Sequence, residues 1–211
     1  MTKKEIFKKI KDFWNKFWFI VWKDDSLKGW IISVIFIFVL IKFILFPILN
    51  ILTGTSLPLA IVESCSMHHN GNILSDFDQW WENNQDKYKD FNIEKKEFQE
   101  FKFKDGFTKG DILFITKPEI NEIKTGDIII FEAGTQHPII HRVVEIREDT
   151  EKDELIFSTM GDNNNGQISQ EKSISESQVI GKAQIRLIPY AGWIKLVFFE
   201  PFKSPSNRGF C

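Results

Sequence analysis

Hydrophobic positions follow three different regimes along the chain. In residues 1–28, Ile6, Phe7, Ile10, Phe13, Trp14, Phe17 and Trp18 recur at helical spacing with lysines between them. That pattern predicts an amphipathic helix, lying on a membrane surface or packed on a protein partner. Residues 29–52 are apolar almost without a break; Lys42 is their only ionic residue, and Pro47 and Asn50 fall toward the far end. These 24 residues exceed the roughly 20 needed to cross the hydrocarbon core as a helix. Pro47 predicts a kink or the approach to the far interface. Lys42 predicts a snorkelling side chain or a partner contact within the membrane.

Beyond residue 52 the pattern turns to short runs of strand-forming residues. Leu57 to Val62 is the first. Gly110 to Ile115 and Gly126 to Phe131 both open Gly-Asp-Ile, 16 residues apart, so each Gly-Asp reads as a turn that launches a strand. Ile139 to Ile146, Leu155 to Thr159 and Val179 to Ile188 continue the series. Between His68 and Lys109 the chain is polar with interspersed aromatics, which predicts short helices over about 76–88 and 94–101, with Trp80 and Trp81 capping the core by default, or else touching lipid headgroups or walling a substrate groove. No alternation of strands with long helices occurs, which excludes a parallel βαβ sheet. The expected fold is mainly β: a compact, mostly antiparallel β domain with a small helical insert, anchored by one N-terminal transmembrane helix. The expected boundaries are 1–28 for a cytosolic basic segment, 29–52 for the transmembrane helix, 53–189 for the β domain with its insert at about 70–109, and 190–211 for a short apolar segment with a disordered tail.

Charge adds orientation. The first 28 residues carry eight lysines against four acids, and Thr53 to Trp80 carry no Lys or Arg. The excess of positive charge before the span puts the N-terminus in the cytosol and the β domain on the extracytoplasmic side of the cell membrane. The net charge of −2 over 211 residues gives no field that would attract nucleic acid. Two cysteines, Cys65 and Cys211, are spaced neither as a metal site nor as a disulfide framework.

Candidate chemistry clusters at three places. Ser64 and Ser66 follow the first strand, in Glu63-Ser64-Cys65-Ser66-Met67-His68; a serine becomes a nucleophile only when a neighbouring base takes its proton. His141 lies inside the apolar run Pro138-Ile139-Ile140-His141-Arg142-Val143-Val144, and histidine is the natural base near neutral pH. His137 and His141 have the i, i+4 spacing of a zinc pair on a helix, but on a strand they stand about 13 Å apart, so no metal site is expected. Gly161-Asp162-Asn163-Asn164-Asn165-Gly166 reads as a turn. It fails as a calcium loop, because with Asp162 first the glycine falls at position 5 and the twelfth residue is Ser173. Asp162, directly after a strand, is placed to orient a histidine.

The order of these features carries a resemblance. Ser-x-Ser-Met just beyond a span, then Gly-Asp-Ile strands, Pro-Ile-Ile-His-Arg-Val, Gly-Asp-Asn-Asn and Ile-Pro-Tyr-Ala-Gly-Trp together resemble type I signal peptidase, in its archaeal and endoplasmic-reticulum branch, from about Ile51 to Trp193. The resemblance implies a membrane-bound serine endopeptidase that removes signal peptides from secretory preproteins without a metal or organic cofactor. It implies Ser66 as nucleophile, His141 as general base, Asp162 as the acid supporting the base, and Ser64 as a hydroxyl helping the Ser66 amide bind the oxyanion. The implied partners are signal peptides with small residues at the first and third positions before the cut, membrane lipid, and the protein translocation machinery.

Three positions depart from the family pattern. Cys65 replaces a glycine between the serines, His69 stands where proline is common, and the place of a second aspartate about six residues after Gly-Asp-Asn-Asn is Ile168, with Gln167 and Glu171 nearby. These departures leave two other readings: Cys65 as the nucleophile of a thiol protease, and an inactive membrane-anchored relative acting as a binding or scaffold protein.

Overall fold

The computed structural model describes residues 2–69, 77–135, 137–204 and 208–211. The chain divides into two units, Met1–Leu52 and Thr53–Cys211. Seven helices and seven strands among the described residues are labelled α1–α7 and β1–β7 in chain order below.

In the first unit, α1 (Lys3–Lys23) begins with a capping box, in which Thr2 and Glu5 satisfy each other's backbone amides. Helix α2 (Leu27–Leu40) is capped by Ser26. The two pack on each other: Phe17 meets Phe36 edge-on at 5.2 Å and the Ser33 hydroxyl donates to the Val21 carbonyl at 2.7 Å. The end of α1 therefore lies along the start of α2, while Phe7, Phe13 and Trp14 remain exposed. Helix α2 runs on through a π turn, Ile41–Leu45, into α3 (Phe46–Thr53). The combined helix, Leu27–Thr53, is long and apolar enough to cross a membrane, and its most apolar stretch is not buried against protein. The π turn explains how the helix tolerates Pro47. A proline ring collides with the carbonyl four residues back, and widening the preceding turn, where the Phe46 amide reaches back to Ile41, relieves that collision. Lys42 in this turn lies against the rings of Phe38 and Phe43.

The second unit is built on one antiparallel seven-stranded sheet in the order β1-β2-β7-β3-β4-β5-β6. Its strands are β1 (Leu59–Ile61), β2 (Ile112–Thr116), β3 (Ile128–Phe131), β4 (Ile139–Asp149), β5 (Glu154–Met160), β6 (Ile174–Ser175) and β7 (Val179–Ile188). Register shifts in the β2–β7, β3–β7 and β4–β5 pairs are bulges, which bend and twist a sheet. The six runs read as strands in the sequence all form strands, and β6 is added. It is only two residues long, too short for periodicity to register.

Helices α4 (Phe77–Asn84), α5 (Asp86–Lys89) and α6 (Lys95–Glu100) form the insert; the start of its expected range, 70–76, lies outside the described residues. Trp80, Trp81, Tyr88, Ile93 and Phe98 pack with Val144 of β4 and Met160 of β5 into one buried cluster, so the tryptophan pair does cover the core. The expected disordered tail is instead fastened down over its described residues. After α7 (Trp193–Leu196), Phe210 packs on Trp193 at 4.2 Å, and Cys211 forms a disulfide with Cys65. Leu196 is buried, whereas Ile194, Val197, Phe198, Phe199 and Phe202 are exposed.

Both Gly-Asp turns behave as read. Gly110 and Gly126 have φ of +92° and +91°, a region that side chains with a Cβ rarely occupy. Asp111 and Asp127 each accept the backbone amide three residues earlier, at 2.9 and 2.8 Å. A Cβ on Gly126 would also lie 2.2 Å from the Phe101 ring. Gly126→Ala is therefore expected to destabilise the β unit by about 1–3 kcal/mol, read as a lower urea midpoint; an unchanged midpoint would show that the insert moves freely off this turn.

Candidate functional site

The site forms where the chain leaves β1. Pairing continues one residue past the strand, with Val62 N–H donating to the Asp111 carbonyl and Gly110 N–H to the Val62 carbonyl, both at 2.9 Å. The chain then turns, and Met67 buries its side chain in the core cluster formed with residues of β1, β2, β3 and β7. Apolar Met67 pulls the backbone inward while Ser64 and Ser66 stay at the surface, their hydroxyl oxygens 3.1 Å apart. The turn after β5 grips this segment. Asn163 N–H donates to the Ser66 carbonyl at 2.7 Å and its side-chain amide to the Cys65 carbonyl at 3.0 Å.

His141 reaches the same point from β4, where it lies opposite Ile129 of β3. Its Nε2 is 2.8 Å from Ser66 Oγ, and its Nδ1 is hydrogen-bonded to Glu171 Oε1. An ionised carboxylate only accepts hydrogen bonds. Nδ1 therefore carries the proton of the neutral ring, and Nε2 is left to accept from the Ser66 hydroxyl. Gly161 makes the room: a Cβ there would sit 2.9 Å from His141 Nε2.

Glu171 is fully buried at the end of a short 3-10 turn, Ser169–Glu171. Its second oxygen accepts Ile168 N–H at 2.8 Å, and Thr159 donates to the first at 3.4 Å. The carboxylate is thus held by the turn's own backbone and by β5, which fixes the direction from which it meets His141.

Asp162, expected to support His141, is placed elsewhere. Arg142 binds it in a fork, Nε to Oδ1 at 2.9 Å and Nη2 to Oδ2 at 2.6 Å. His69 Nε2 lies 2.9 Å from Oδ2 and the Tyr88 hydroxyl donates to Oδ1 at 2.9 Å. Neighbouring side chains on a strand point to opposite faces. His141 and Arg142 therefore face different ways, and Asp162 goes with the arginine. All four groups are buried. Burial alone would raise the Asp162 carboxyl, but the Arg142 charge and hydrogen bonds, then His69, hold it well below the usual carboxylate range. Burial raises the Tyr88 phenol, and the Asp162 charge adds to that. Burial also lowers the Lys87 ammonium to about 8, against the pull of Asp162; its Nζ donates to the carbonyls of Asp162 and Asn164 at 2.5 and 3.0 Å. His69, whose ring stacks on Trp80 at 3.6 Å, thus ties the serine segment to Asp162 and the insert.

The cysteine spacing predicted no disulfide, yet Cys65 and Cys211 are bonded with Cα atoms 5.5 Å apart. Their 146-residue separation is invisible to spacing rules, because folding of the tail brings them together. The sulfur of Cys65 is consumed in that bond, so it is not a free thiolate. His137 is exposed on the turn before β4. Among the described residues no group of three or more His, Cys, Asp or Glu side chains is arranged to hold a metal ion.

A hydroxyl, an imidazole and a buried carboxylate thus stand in hydrogen-bonded series on the antiparallel sheet, an arrangement that serine hydrolases use. The chain is similar to signal peptidase complex catalytic subunits. It is 32% identical over 97 residues to SEC11C of Homo sapiens and of Mus musculus, an alignment covering 43% of this chain. It is 46% identical over 59 residues to SEC11 of Candida tropicalis, covering 28% of this chain and 34% of that protein. The chain spans about half the length of the SEC11C relatives it matches. These proteins are homologues of the chain; no family model matches it.

The residue that sequence reading left without a role is Glu171. It stands three residues beyond Ile168, and its one signal is that no other Asp or Glu occurs between Asp162 and Glu176.

The Asp162 network makes an acid-stability prediction. A carboxyl whose folded pKa is depressed adds stability above its ordinary pKa and loses it as pH falls through the folded value. Asp162→Asn, which strands Arg142, is expected to cost about 3–5 kcal/mol near neutral pH. The gap to wild type should narrow progressively as pH drops below about 4, measured as urea midpoints from pH 2 to 7. A gap that stays constant over that range would contradict the pairing.

Proposed function

We propose that the chain is a membrane-bound serine endopeptidase that cleaves signal peptides from secretory preproteins. The observation that carries this reading is the Ser66–His141–Glu171 hydrogen-bond series, on a chain similar to signal peptidase catalytic subunits. In the proposed reaction His141 Nε2 takes the Ser66 proton as Oγ attacks the scissile carbonyl, and Glu171 holds the ring and balances the imidazolium. The Ser66 amide and the Ser64 hydroxyl bind the developing oxyanion. Collapse releases the mature chain as a leaving amine, protonated by His141. Water, deprotonated by the same nitrogen, then hydrolyses the acyl-enzyme. The carboxylate role expected of Asp162 passes to Glu171, while Asp162 keeps the serine segment, β4 and the insert together.

Membrane anchoring by Leu27–Thr53 is part of the proposal, supported by the length and apolar character of that helix. The disulfide supports an extracytoplasmic location of the β unit, because disulfides persist in oxidising compartments, and the lysine-rich N-terminus supports the same orientation. The exposed aromatic side of the segment after α7 is suited to contact with lipid headgroups.

The test is cleavage of a signal-peptide-bearing preprotein by the full chain in liposomes. Wild type is expected to cut at the signal-peptide junction, and Ser66→Ala and His141→Ala each to lose at least about 10³-fold in kcat/KM while folding normally. A folded wild type that does not cut, or a Ser66→Ala variant that does, would refute the assignment.

A further inference from the structure

The serine segment is gripped from two sides. On one side the turn after β5 holds the carbonyls of Cys65 and Ser66 through Asn163. On the other side the segment following β7 holds Glu63 and Cys65. Lys203 Nζ donates to the Glu63 carbonyl at 3.1 Å, Lys195 Nζ meets the Glu63 carboxylate at 3.1 Å, and Cys211 is bonded to the sulfur of Cys65. Cys65 is the residue between the two serines, so the covalent grip lands one residue from Ser66.

This segment is docked in a defined position. Lys109 is almost wholly buried, 1% exposed, and its Nζ donates to Glu200 Oε2 at 2.8 Å and to the Gly209 carbonyl at 2.9 Å. The same Glu200 oxygen accepts Gly209 N–H at 2.9 Å. The indole N–H of Trp193 donates to the Lys109 carbonyl at 3.0 Å, and Gly192 N–H to the Gly110 carbonyl at 2.7 Å. A buried ion pair adds little stability over an apolar pair, but removing one partner is costly, so it favours a single arrangement. Lys109 precedes β2, the strand that pairs with β1. The docking therefore references the segment to the sheet that launches the serine turn.

We propose that the C-terminal segment is a strap that sets the position of Ser66 relative to His141, with Cys211 a positioning residue acting through Cys65. The inference rests on the reading of Ser66 as nucleophile. A nucleophile must sit at hydrogen-bond distance from its base, about 2.6–3.2 Å, and a displacement near 1 Å costs about 10²-fold. With the bond open, the Glu63–Ser66 turn keeps the Asn163 contacts and loses its covalent tie on the other side. Opening it takes a dithiol reductant: Cys65 and Cys211 gain the two hydrogens as thiols, and the reductant is left as a disulfide. Activity is then greatest in an oxidising compartment and falls on reduction.

The test uses the full chain in liposomes with a signal-peptide-bearing preprotein, comparing oxidised wild type, dithiothreitol-treated wild type and Cys211→Ser. Backbone hydrogen exchange is read over residues 62–69. The expected result is a fall in kcat of about tenfold or more with KM unchanged, the same for reduction and substitution, and faster exchange over 62–69 with β3 and β4 unaltered. Turnover per folded molecule and exchange over 62–69 both equal to wild type, even with a lower Tm, would overturn the proposal and leave a plain cross-link. If oxidised wild type does not cut at all, the functional reading fails, and exchange alone decides whether the strap holds the turn. Should Cys211→Ser not fold, Lys203→Met removes the grip on Glu63 with the disulfide intact. A kcat loss of a few-fold with faster exchange over 62–69 then supports the strap, and no change in either overturns it.

Discussion

The structure around the site depends on one buried ion pair, Arg142 with Asp162. Both groups are sealed from solvent, and a charge in that setting is tolerated only when it is paired and fully hydrogen-bonded. Each group recruits other parts of the chain to meet that demand. Arg142 donates to the carbonyls of Lys102, Phe103 and Gly126 and lies over the Phe98 ring at 4.6 Å. Asp162 accepts from Tyr88 of the insert and engages His69 of the serine segment. Three stretches distant in sequence, the serine segment, the insert and the turn before β3, therefore converge on a pair carried by β4 and the turn after β5.

Two carboxylates, nine residues apart, have different work because their partners differ. Asp162 meets a permanent cation and is fixed as an ion. Glu171 meets an imidazole, whose charge changes with a single proton, on the opposite face of β4. The adjacency of His141 and Arg142 on one strand separates the two environments. It lets the Arg142–Asp162 ion pair and the proposed Ser66–His141–Glu171 series coexist without competing for the same acid.

Much of this was legible in the sequence, and what was not has identifiable causes. Strands β2, β3 and β5 announce themselves by short runs of Ile, Leu and Phe, and β4 and β7 by Ile and Val interleaved with polar residues, the residue types that strands favour. The Gly-Asp turns are legible because left-handed backbone selects glycine and the following carboxylate caps the turn. Ser66 and His141 stand out as polar residues beside apolar runs, and the structure brings them together. Glu171 does not stand out, because distance along the chain says nothing about which face a carboxylate reaches. Asp162 is misleading for the opposite reason: its motif is intact, but the strength of a fully buried arginine decides its partner. The disulfide is illegible because its two ends are joined only by the docking of the tail.

The central claim is that Glu171, not Asp162, is the carboxylate that works through His141. The most direct measurement is kcat for preprotein cleavage by Glu171→Gln, normalised to folded protein. The amide keeps the shape and removes the charge that orients the ring and stabilises the imidazolium. The account predicts a loss of about 10²–10⁴-fold in kcat with little change in KM. A Glu171→Gln variant that is folded and cleaves at the wild-type rate would contradict it.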